Sequence, residues 1–317
     1  MSSPNTPDPE AALPEKPGRG KGFFLGIAAV VIVAVLAVVL VVVNSGGGSA
    51  DTAGRTTVRI GVTDASADYW KSFTELAAGE GIDVKLVNFS DYTQANPALS
   101  QGQLDLNLFQ HILFLANYNV SKGDTLTPIG STYVVPLSLY SRRHAALAEI
   151  PAGGRVAIPN DPTNQARALL VLQSAGLISL RGGGTVLSTP AEIDPAASKV
   201  AVTPVDASQT VAALPSVDAA IVNNNFALDA GLDPSKALFN DDPKNPSAEP
   251  YINAFVSRAQ DKDNPVYLKL AALYRDPRVS DKVEAQSKNT AVLVDRSQAE
   301  LAKILSRLED TVRAAKK

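Results

Sequence analysis

Apolar and polar positions change pattern sharply near residue 44 of the chain. Residues 23–43 form an apolar run without a single charge, and about 20 such residues cross a hydrocarbon core of roughly 30 Å as one helix. Lys16, Arg19 and Lys21 precede the run, whereas residues 44–50 carry no charge. This asymmetry favours a cytoplasmic N-terminus and an extracytoplasmic C-terminal part. The pattern therefore predicts a single-pass anchor in the cell membrane.

A cleaved signal peptide is the alternative interpretation of the same run. Such peptides have an apolar core of about 7–15 residues followed by small residues at a cleavage site, and residues 48–50, Gly-Ser-Ala, fit that description. The length of the run and its many valines favour a retained anchor. We then expect a disordered cytoplasmic tail at residues 1–22, the anchor at 23–43 and a flexible linker at 44–56.

From residue 58 onward, short β-like runs alternate with amphipathic helical patterns. This alternation is typical of an α/β fold with mainly parallel strands. Residues 155–159 open a second such series, and residues 240–250 are rich in Asp, Asn and Pro, which suits a linker that returns the chain to the first. We predict two lobes around a ligand cleft, since ligands of α/β folds lie beyond the carboxyl ends of strands. Lobe 1 is predicted at 57–145 plus 248–317, and lobe 2 at 146–247.

Composition narrows the function classes. An apolar fraction of 45% and a charged fraction of 19% describe a folded protein, and a net charge of -3 gives no basic footprint for nucleic acid. The chain has no cysteine and only two histidines, His111 and His144. It also lacks a Walker A loop and a G-x-S-x-G nucleophile elbow. We therefore expect no metal, no cofactor and no catalysis.

The segment 160–167 follows a predicted strand and opens a helix. Thr163 is a plausible N-cap, which places Arg167 in the first turn, where the helix dipole disfavours a cation. Asn164 lies on the same face, three residues earlier. With the free backbone N–H groups of the turn, this pair suits the binding of a small carboxylate. The alternative is a surface arginine paired with Asp161 or another carboxylate.

Aromatic and polar residues crowd the segment 105–111. Phe109 and His111 offer flat faces to an apolar ligand group, with Gln110 as a hydrogen-bonding neighbour. The alternative places Phe109 in the core and makes His111 a structural histidine.

Three successive amides, residues 223–225, stand between a predicted strand and a helix. Their side-chain oxygens suit a ligand ammonium, although one of them suffices to cap the helix. Tyr92 follows another predicted strand, and a tyrosine in that position lies in the core or at the rim as often as it faces a ligand.

Together these segments resemble the methionine-binding proteins of ABC importers, the NlpA-type lipoproteins, between residues 58 and 258. The matching stretches are Val87–Tyr92, Asp105–His111 (D-A-N-x-F-Q-H in the family), Ile158–Arg167 (P-N-D-P-T-N-x-x-R), Ala220–Asn223 (A-V-I-N) and Pro250–Asn253. The resemblance implies a periplasmic-binding-protein-like α/β fold whose lobes close on an amino acid.

The resemblance also implies roles for individual residues. Arg167 and Asn164 would hold the α-carboxylate, and Asn223 would contact the amino-acid head group. Tyr92, Phe109 and His111 would surround the thioether, where each sulfur–aromatic contact is worth about 0.3–1.5 kcal/mol. Further candidates for the site are Tyr69, Gln110 and Asn225.

The chain departs from the family pattern at several places. Family members usually carry a lipidated cysteine, and this chain has an apolar run instead. Residues 63–66, Thr-Asp-Ala-Ser, replace a G-P after the first strand, Leu106 and Leu108 replace smaller or polar residues, and residues 206–210 replace a Q-L-P-R stretch.

We expect a non-enzymatic solute-binding protein that delivers methionine, or a closely related amino acid, to the permease and ATPase subunits of an ABC importer. Two alternatives stay open at this point. The same cleft suits methionine-containing dipeptides, and the fold also suits a membrane-anchored sensor or interaction module.

Overall fold

The computed structural model describes residues 55–316. The predicted tail at 1–22, the anchor at 23–43 and residues 44–54 of the linker lie outside the described residues. Within 55–316, none of the helices combines the length and the apolar character needed to span a bilayer.

Strands and helices alternate through most of the described chain, as the sequence predicts. The strands are β1 (Thr56–Val62), β2 (Ile82–Asn88), β3 (Leu106–Asn107), β4 (Thr127–Ser131), β5 (Tyr133–Val134), β6 (Ser138–Tyr140), β7 (Gly154–Pro159), β8 (Val200–Val205), β9 (Ala219–Val222), β10 (Phe239–Asn240), β11 (Ala254–Ser257) and β12 (Val292–Leu293). The α-helices are α1 (Asp68–Gly79), α2 (Tyr92–Ser100), α3 (Ile112–Lys122), α4 (Pro162–Ser174), α5 (Thr210–Ala213), α6 (Asn224–Asp229), α7 (Pro265–Leu273), α8 (Pro277–Gln286) and α9 (Gln298–Ala315).

The first sheet has the strand order β2-β1-β3-β11-β4. Strand β1 runs parallel to β2 and β3, and β11 runs antiparallel to β3 and β4. Side chains alternate between the two faces of a strand, so Val58, Ile60 and Val62 share one face, where they pack with α1, α7 and α8. The opposite face packs against α2, α3 and α9.

The second sheet has the order β10-β6-β9-β7-β8. Strand β7 runs parallel to β8 and β9, while β6 and β10 pair antiparallel. All four residues of β9 are buried, as expected for a strand with helices on both faces. Helix α4 packs on one face of this sheet, and α5 and α6 pack on the other.

The chain passes between these two sheets twice, between β4 and β6 and again between β10 and β11. Strand β5, which lies between β4 and β6, pairs with β12 in a separate two-stranded sheet. Strand β6 lies inside the range predicted for lobe 1, yet it pairs with β9 of the second sheet. All three of its residues are buried, so its composition suits either sheet and only the pairing partner decides. The remaining limits of the two predicted lobes stay a prediction.

The fold gathers three strand ends at one place. Thr63 and Asp64 follow β1, residues 160–161 follow β7, and Asn223 follows β9. These are carboxyl ends of strands in both sheets, and it is at such ends that α/β folds bind ligands.

Candidate functional site

A cavity of about 800 Å³, counting its open mouth, lies at these strand ends. Every residue that the sequence proposes for the site lines it, except Tyr69. Tyr69 lines a smaller adjoining cavity of about 280 Å³. The two cavities share several lining residues, among them Asp64. The structure therefore brings together side chains that are far apart in the sequence.

Helix α4 begins two residues earlier than the sequence suggests. Its N-cap is Asp161 rather than Thr163, and the Asp161 carboxylate accepts a hydrogen bond from the Asn164 N–H at 2.9 Å. Pro162 occupies the first helical position, which a proline favours because it has no N–H to leave unpaired. Thr163 donates its hydroxyl to Asp161 at 3.1 Å. This start places Asn164 in the first turn and Arg167 in the second, so the prediction that Arg167 lies in the first turn is wrong.

Arg167 is buried, with only 4% of its surface exposed. Its Nε donates to Asp241 at 2.7 Å, and its Nη2 donates to the Val135 carbonyl at 2.8 Å and to Asp241 at 3.1 Å. The guanidinium carbon lies 4.1 Å from the ring centre of Tyr251. The alternative of a surface arginine is therefore wrong about exposure, but it is right that a carboxylate pairs with Arg167, and that carboxylate is Asp241 rather than Asp161. Its Nη1 makes no hydrogen bond with any residue in 55–316 and is the nitrogen left for a ligand.

Three polar side chains form a chain that fixes the orientation of two amides. The Asn164 amide nitrogen donates to both Asp161 oxygens, at 3.1 and 3.0 Å, and the Asn223 amide nitrogen donates to the Asn164 oxygen at 2.9 Å. A carboxylate only accepts, so the Asn164 oxygen has to face Asn223, and Asn223 has to turn its nitrogen toward it. The Asn223 Oδ1 is left buried and without a partner among the described residues.

Asn223 stands at the N-cap position of α6, but its side chain makes no capping hydrogen bond there. A buried oxygen without a partner is unfavourable by itself. Its position in the cavity lining makes it an acceptor for a ligand N–H.

His111 caps helix α3, because its Nδ1 accepts a hydrogen bond from the Phe114 N–H at 3.1 Å. The proton of the neutral ring therefore sits on Nε2, which is buried and has no partner among residues 55–316. Burial, with a smaller contribution from the charge of Arg167, lowers the pKa of His111 to about 3. His111 therefore has the structural role that the alternative gives it, although its Nε2–H is not satisfied by any described residue, and the residue also lines the cavity.

Aromatic rings form one wall of the cavity. The ring centre of Tyr92 lies 6.1 Å from that of Phe109 and 6.2 Å from that of Phe114, and Phe109 and Phe114 are 5.8 Å apart. Burial raises the pKa of Tyr92, so it remains a neutral donor, and its hydroxyl is engaged by Asn225 Oδ1. The wall suits an apolar, polarizable group.

Gln110 lies in the lining, but its side-chain amide is already engaged. It exchanges hydrogen bonds with Asn96 in both directions, at 2.7 and 2.6 Å, and donates to Asn107 at 3.0 Å. All three residues are buried. This network fixes the segment between β3 and α3 that carries Phe109 and His111.

Sequence reasoning missed several residues of the site, including Asp64, Phe114, Asp241 and Asn253. Phe114 stands three residues after His111, so helical spacing alone would have pointed to it. Asp241 lies in the stretch interpreted as a linker, 74 positions from Arg167, and no local pattern signals such a pair. Among residues 55–316, no group of three or more His, Asp or Glu side chains is placed to hold a metal ion.

A family model and individual relatives of known sequence both match this chain. The family model described as NlpA lipoprotein matches residues 58–294. A probable D-methionine-binding lipoprotein MetQ of Pasteurella multocida (strain Pm70) is 37% identical over 214 residues, which is 67% of this chain and 76% of the relative.

Two solved structures are similar in fold and in sequence. The substrate binding protein of a methionine transporter from Streptococcus pneumoniae has a TM-score of 0.70 and 37% identity, covering 76% of this chain and 96% of that one. A nutrient binding protein from Burkholderia cenocepacia bound to methionine has a TM-score of 0.70 and 35% identity, covering 74% and 99%.

Proposed function

The chain belongs to the NlpA lipoprotein family, and we propose on that basis that it is the solute-binding protein of an ABC importer and that its cleft binds methionine or a closely related α-amino acid. The family resemblance drawn from the motifs is thereby confirmed, as is the α/β fold similar to that of solved solute-binding proteins. The ligand and the roles of single residues are argued from the geometry of the cleft.

One observation carries the proposal. The same buried cavity presents two donors, Arg167 Nη1 and His111 Nε2, and one acceptor, Asn223 Oδ1, none of which has a partner among the described residues. This set is complementary to an α-amino acid, whose carboxylate accepts hydrogen bonds and whose ammonium donates them. Asn164 supports the acceptor by fixing the Asn223 amide.

Asp241 prepares the cleft for the carboxylate. It holds the Arg167 guanidinium in place before any ligand enters, and a preorganised donor does not lose side-chain freedom on binding. The ligand carboxylate then shares a guanidinium that already has one counter-charge. Burial in a medium of low dielectric strengthens that contact.

The side chain of the ligand lies against the wall of Tyr92, Phe109 and Phe114. Sulfur–aromatic contacts of about 0.3–1.5 kcal/mol each favour a thioether over a plain alkyl chain of equal length. This preference separates methionine from norleucine, which has a methylene in place of the sulfur.

The working domain is extracytoplasmic, held to the membrane by the apolar run at 23–43, and delivers its ligand to the permease and ATPase subunits without catalysis. These 317 residues contain no cysteine, so the run takes the place of the lipidated cysteine that the family name implies. The lobes predicted at 57–145 plus 248–317 and at 146–247 would close on the ligand, with the boundary moved ahead of β6.

The proposal is tested by calorimetry with both enantiomers of methionine, norleucine and a panel of other amino acids. We expect methionine to bind more tightly than norleucine. The variant Arg167→Lys removes the planar fork that serves Asp241 and the ligand together, and we expect it to weaken methionine binding at least about 30-fold, as for loss of a buried charged contact worth about 2 kcal/mol or more.

The matched control is Arg155→Lys, an exposed arginine on β7 that donates to the Ser216 carbonyl. It should leave affinity unchanged. Equal affinities of wild type and Arg167→Lys would remove Arg167 from the site. A folded wild type that binds no amino acid would overturn the proposal and favour the interaction module.

A further inference from the structure

A second, smaller cavity of about 280 Å³ adjoins the main cleft and shares Asp64, Asn224 and Gln286 with it. Asp64 follows the end of β1, in the segment 63–66 where the sequence departs from the family pattern. Asp64 therefore borders both cavities.

The Asp64 carboxylate is anchored only by neutral groups. Tyr69 donates its hydroxyl at 2.7 Å, and Trp70 donates its indole N–H at 3.1 Å. No lysine, arginine or histidine in the described part of the chain forms an ion pair with Asp64. Burial raises the pKa of Asp64, and the nearby charge of Asp229 raises it further. Its ionised form therefore lacks a counter-charge.

The positive charge of Arg167 in the cavity lining is already balanced. Arg167 is paired with Asp241 at 2.7 Å, so the positive charge there is matched before a ligand enters. A zwitterion brings a carboxylate to Arg167 and an ammonium that also needs a partner. Asn223 Oδ1 accepts a hydrogen bond but carries no charge.

Gln286, which lines the same two cavities as Asp64, carries a second acceptor. Gln286 Oε1 is buried and has no hydrogen-bond partner within 55–316, and Gln286 lines both cavities. Asn223, itself nine-tenths buried, adds its free oxygen to the same main cavity. Residues that carry two unpaired oxygens and one unmatched negative charge therefore line the main cavity.

We propose that Asp64, assisted by Gln286, is the counter-charge for a primary ammonium of the ligand, and that it makes the cleft selective for amine-bearing ligands. This inference rests on the proposed function and adds a specificity-determining residue to it. The ammonium has two possible sources, the α-amino group of a single amino acid or the N-terminal amino group of a dipeptide that reaches the smaller cavity.

The test compares wild type with Asp64→Asn, which keeps the shape of the side chain and one acceptor for Tyr69 or Trp70. Calorimetry uses methionine, alanylmethionine and 4-(methylthio)butanoate, which is methionine without its amino group. The control Asp68→Asn makes the same charge change at an exposed position in the first turn of α1. Thermal melting of the empty proteins checks that each variant folds.

We expect Asp64→Asn to lower the affinity for an amine-bearing ligand at least about 30-fold, as for the loss of one partner of a buried charge pair. The affinity for 4-(methylthio)butanoate should change less than about threefold. If Asp64→Asn binds methionine more weakly, Asp64 contacts the α-ammonium. If only the binding of alanylmethionine weakens, Asp64 contacts the N-terminal ammonium of the dipeptide. Asp68→Asn should match wild type for all three ligands.

Trp70 gives an independent readout, since it is the single tryptophan of the chain and donates its indole N–H to Asp64. Amine-bearing ligands should change its fluorescence more than 4-(methylthio)butanoate does, and this difference should vanish in Asp64→Asn.

If Asp64→Asn lowers the affinity for amine-bearing and amine-free ligands equally, or lowers neither, this inference is overturned and the proposed function stays intact. A wild type that binds none of the three ligands would instead overturn the proposed function, and this inference with it.

Discussion

His111 is held in one tautomer by the helix that it caps. Its Nδ1 accepts the Phe114 N–H, its Nε2 carries the proton, and burial lowers its pKa to about 3. The unfolded chain has an ordinary histidine pKa of about 6.5. At a pH between these two pKa values, His111 is protonated in the unfolded chain but not in the folded one. The free energy of unfolding must therefore fall as the pH falls through that range.

We therefore expect the free energy of unfolding to lose about 1 kcal/mol from this residue between pH 7.5 and pH 5.5. The variant His111→Asn keeps a side-chain acceptor for the cap and removes the titrating group, so its stability should depend less on pH. Urea denaturation at several pH values, without ligand, measures how the free energy of unfolding of wild type and of His111→Asn depends on pH.

The control is Asn264→Ser, which exchanges one uncharged N-cap of α7 for another. Because neither side chain titrates in this range, the variant should keep the dependence of the free energy of unfolding on pH that wild type shows. If the free energy of unfolding depends on pH equally in wild type and in His111→Asn, His111 is not the buried neutral group described above.

The sequence predicts individual residues where the signal is local. Arg167 and Asn164 stand out because the sequence puts both near the start of a helix, where a cation is unfavourable. Arg167 in fact lies in the second turn, where that effect is weak, but both residues are buried in the cavity lining. Asp241 does not stand out, since it meets Arg167 only after the chain has folded through the second sheet. Asp64 marks a departure from the family pattern, but its lack of a counter-charge is visible only in three dimensions.

At the scale of elements, hydrophobic periodicity predicts the alternation of strands and helices well. It fails where two arrangements satisfy the same pattern. Strand β6 is buried throughout and suits either sheet, and both Asp161 and Thr163 are good N-caps. Proline decides the second case, because Pro162 fits the first helical position and leaves Asp161 as the cap.

Helix α7 packs against β4 through a contact that depends on a glycine. A Cβ at Gly130 would lie 2.7 Å from the Cβ of Ala271, which is closer than carbon atoms approach. Gly130→Ala should therefore push the helix from the strand and destabilise the protein by about 1–3 kcal/mol, as overpacked cores do. Urea denaturation measures the change in the free energy of unfolding.

Gly79→Ala is the matched control, because a Cβ at Gly79, the last residue of α1, meets nothing within 4 Å. We expect it to be neutral or to stabilise by up to about 1 kcal/mol, since alanine favours helix more than glycine does. Equal effects of the two substitutions would contradict the packing argument.

At the scale of the whole molecule, Asn225 links the two sides of the cleft. It belongs to α6, after β9 of the second sheet, and its Oδ1 accepts from the Tyr92 hydroxyl while its Nδ2 donates to Thr63 Oγ1 at 3.4 Å. Thr63 and Tyr92 follow strands of the first sheet. The structure thus describes a state in which the two sides touch, and a ligand that contacts both sides favours that state.

Asn225→Ala should weaken this state and therefore release ligand faster. A hydrogen bond is worth about 0.5–1.5 kcal/mol net, which corresponds to a loss of methionine affinity of roughly threefold to tenfold, carried by the dissociation rate. Stopped-flow fluorescence of Trp70 measures the rate, and small-angle scattering of the empty protein should show a larger radius of gyration.

A double-mutant cycle with Tyr92→Phe shows whether the effect passes through the bond between the two sides. Tyr92→Phe keeps the aromatic wall and removes only the hydroxyl that donates to Asn225. If the cross-cleft bond is what stabilises the closed state, the double variant should dissociate little faster than Asn225→Ala, because the second change removes a partner that has already been lost. Additive effects on the dissociation rate would mean that Asn225 acts on the ligand directly, as the sequence prediction has it, rather than through closure.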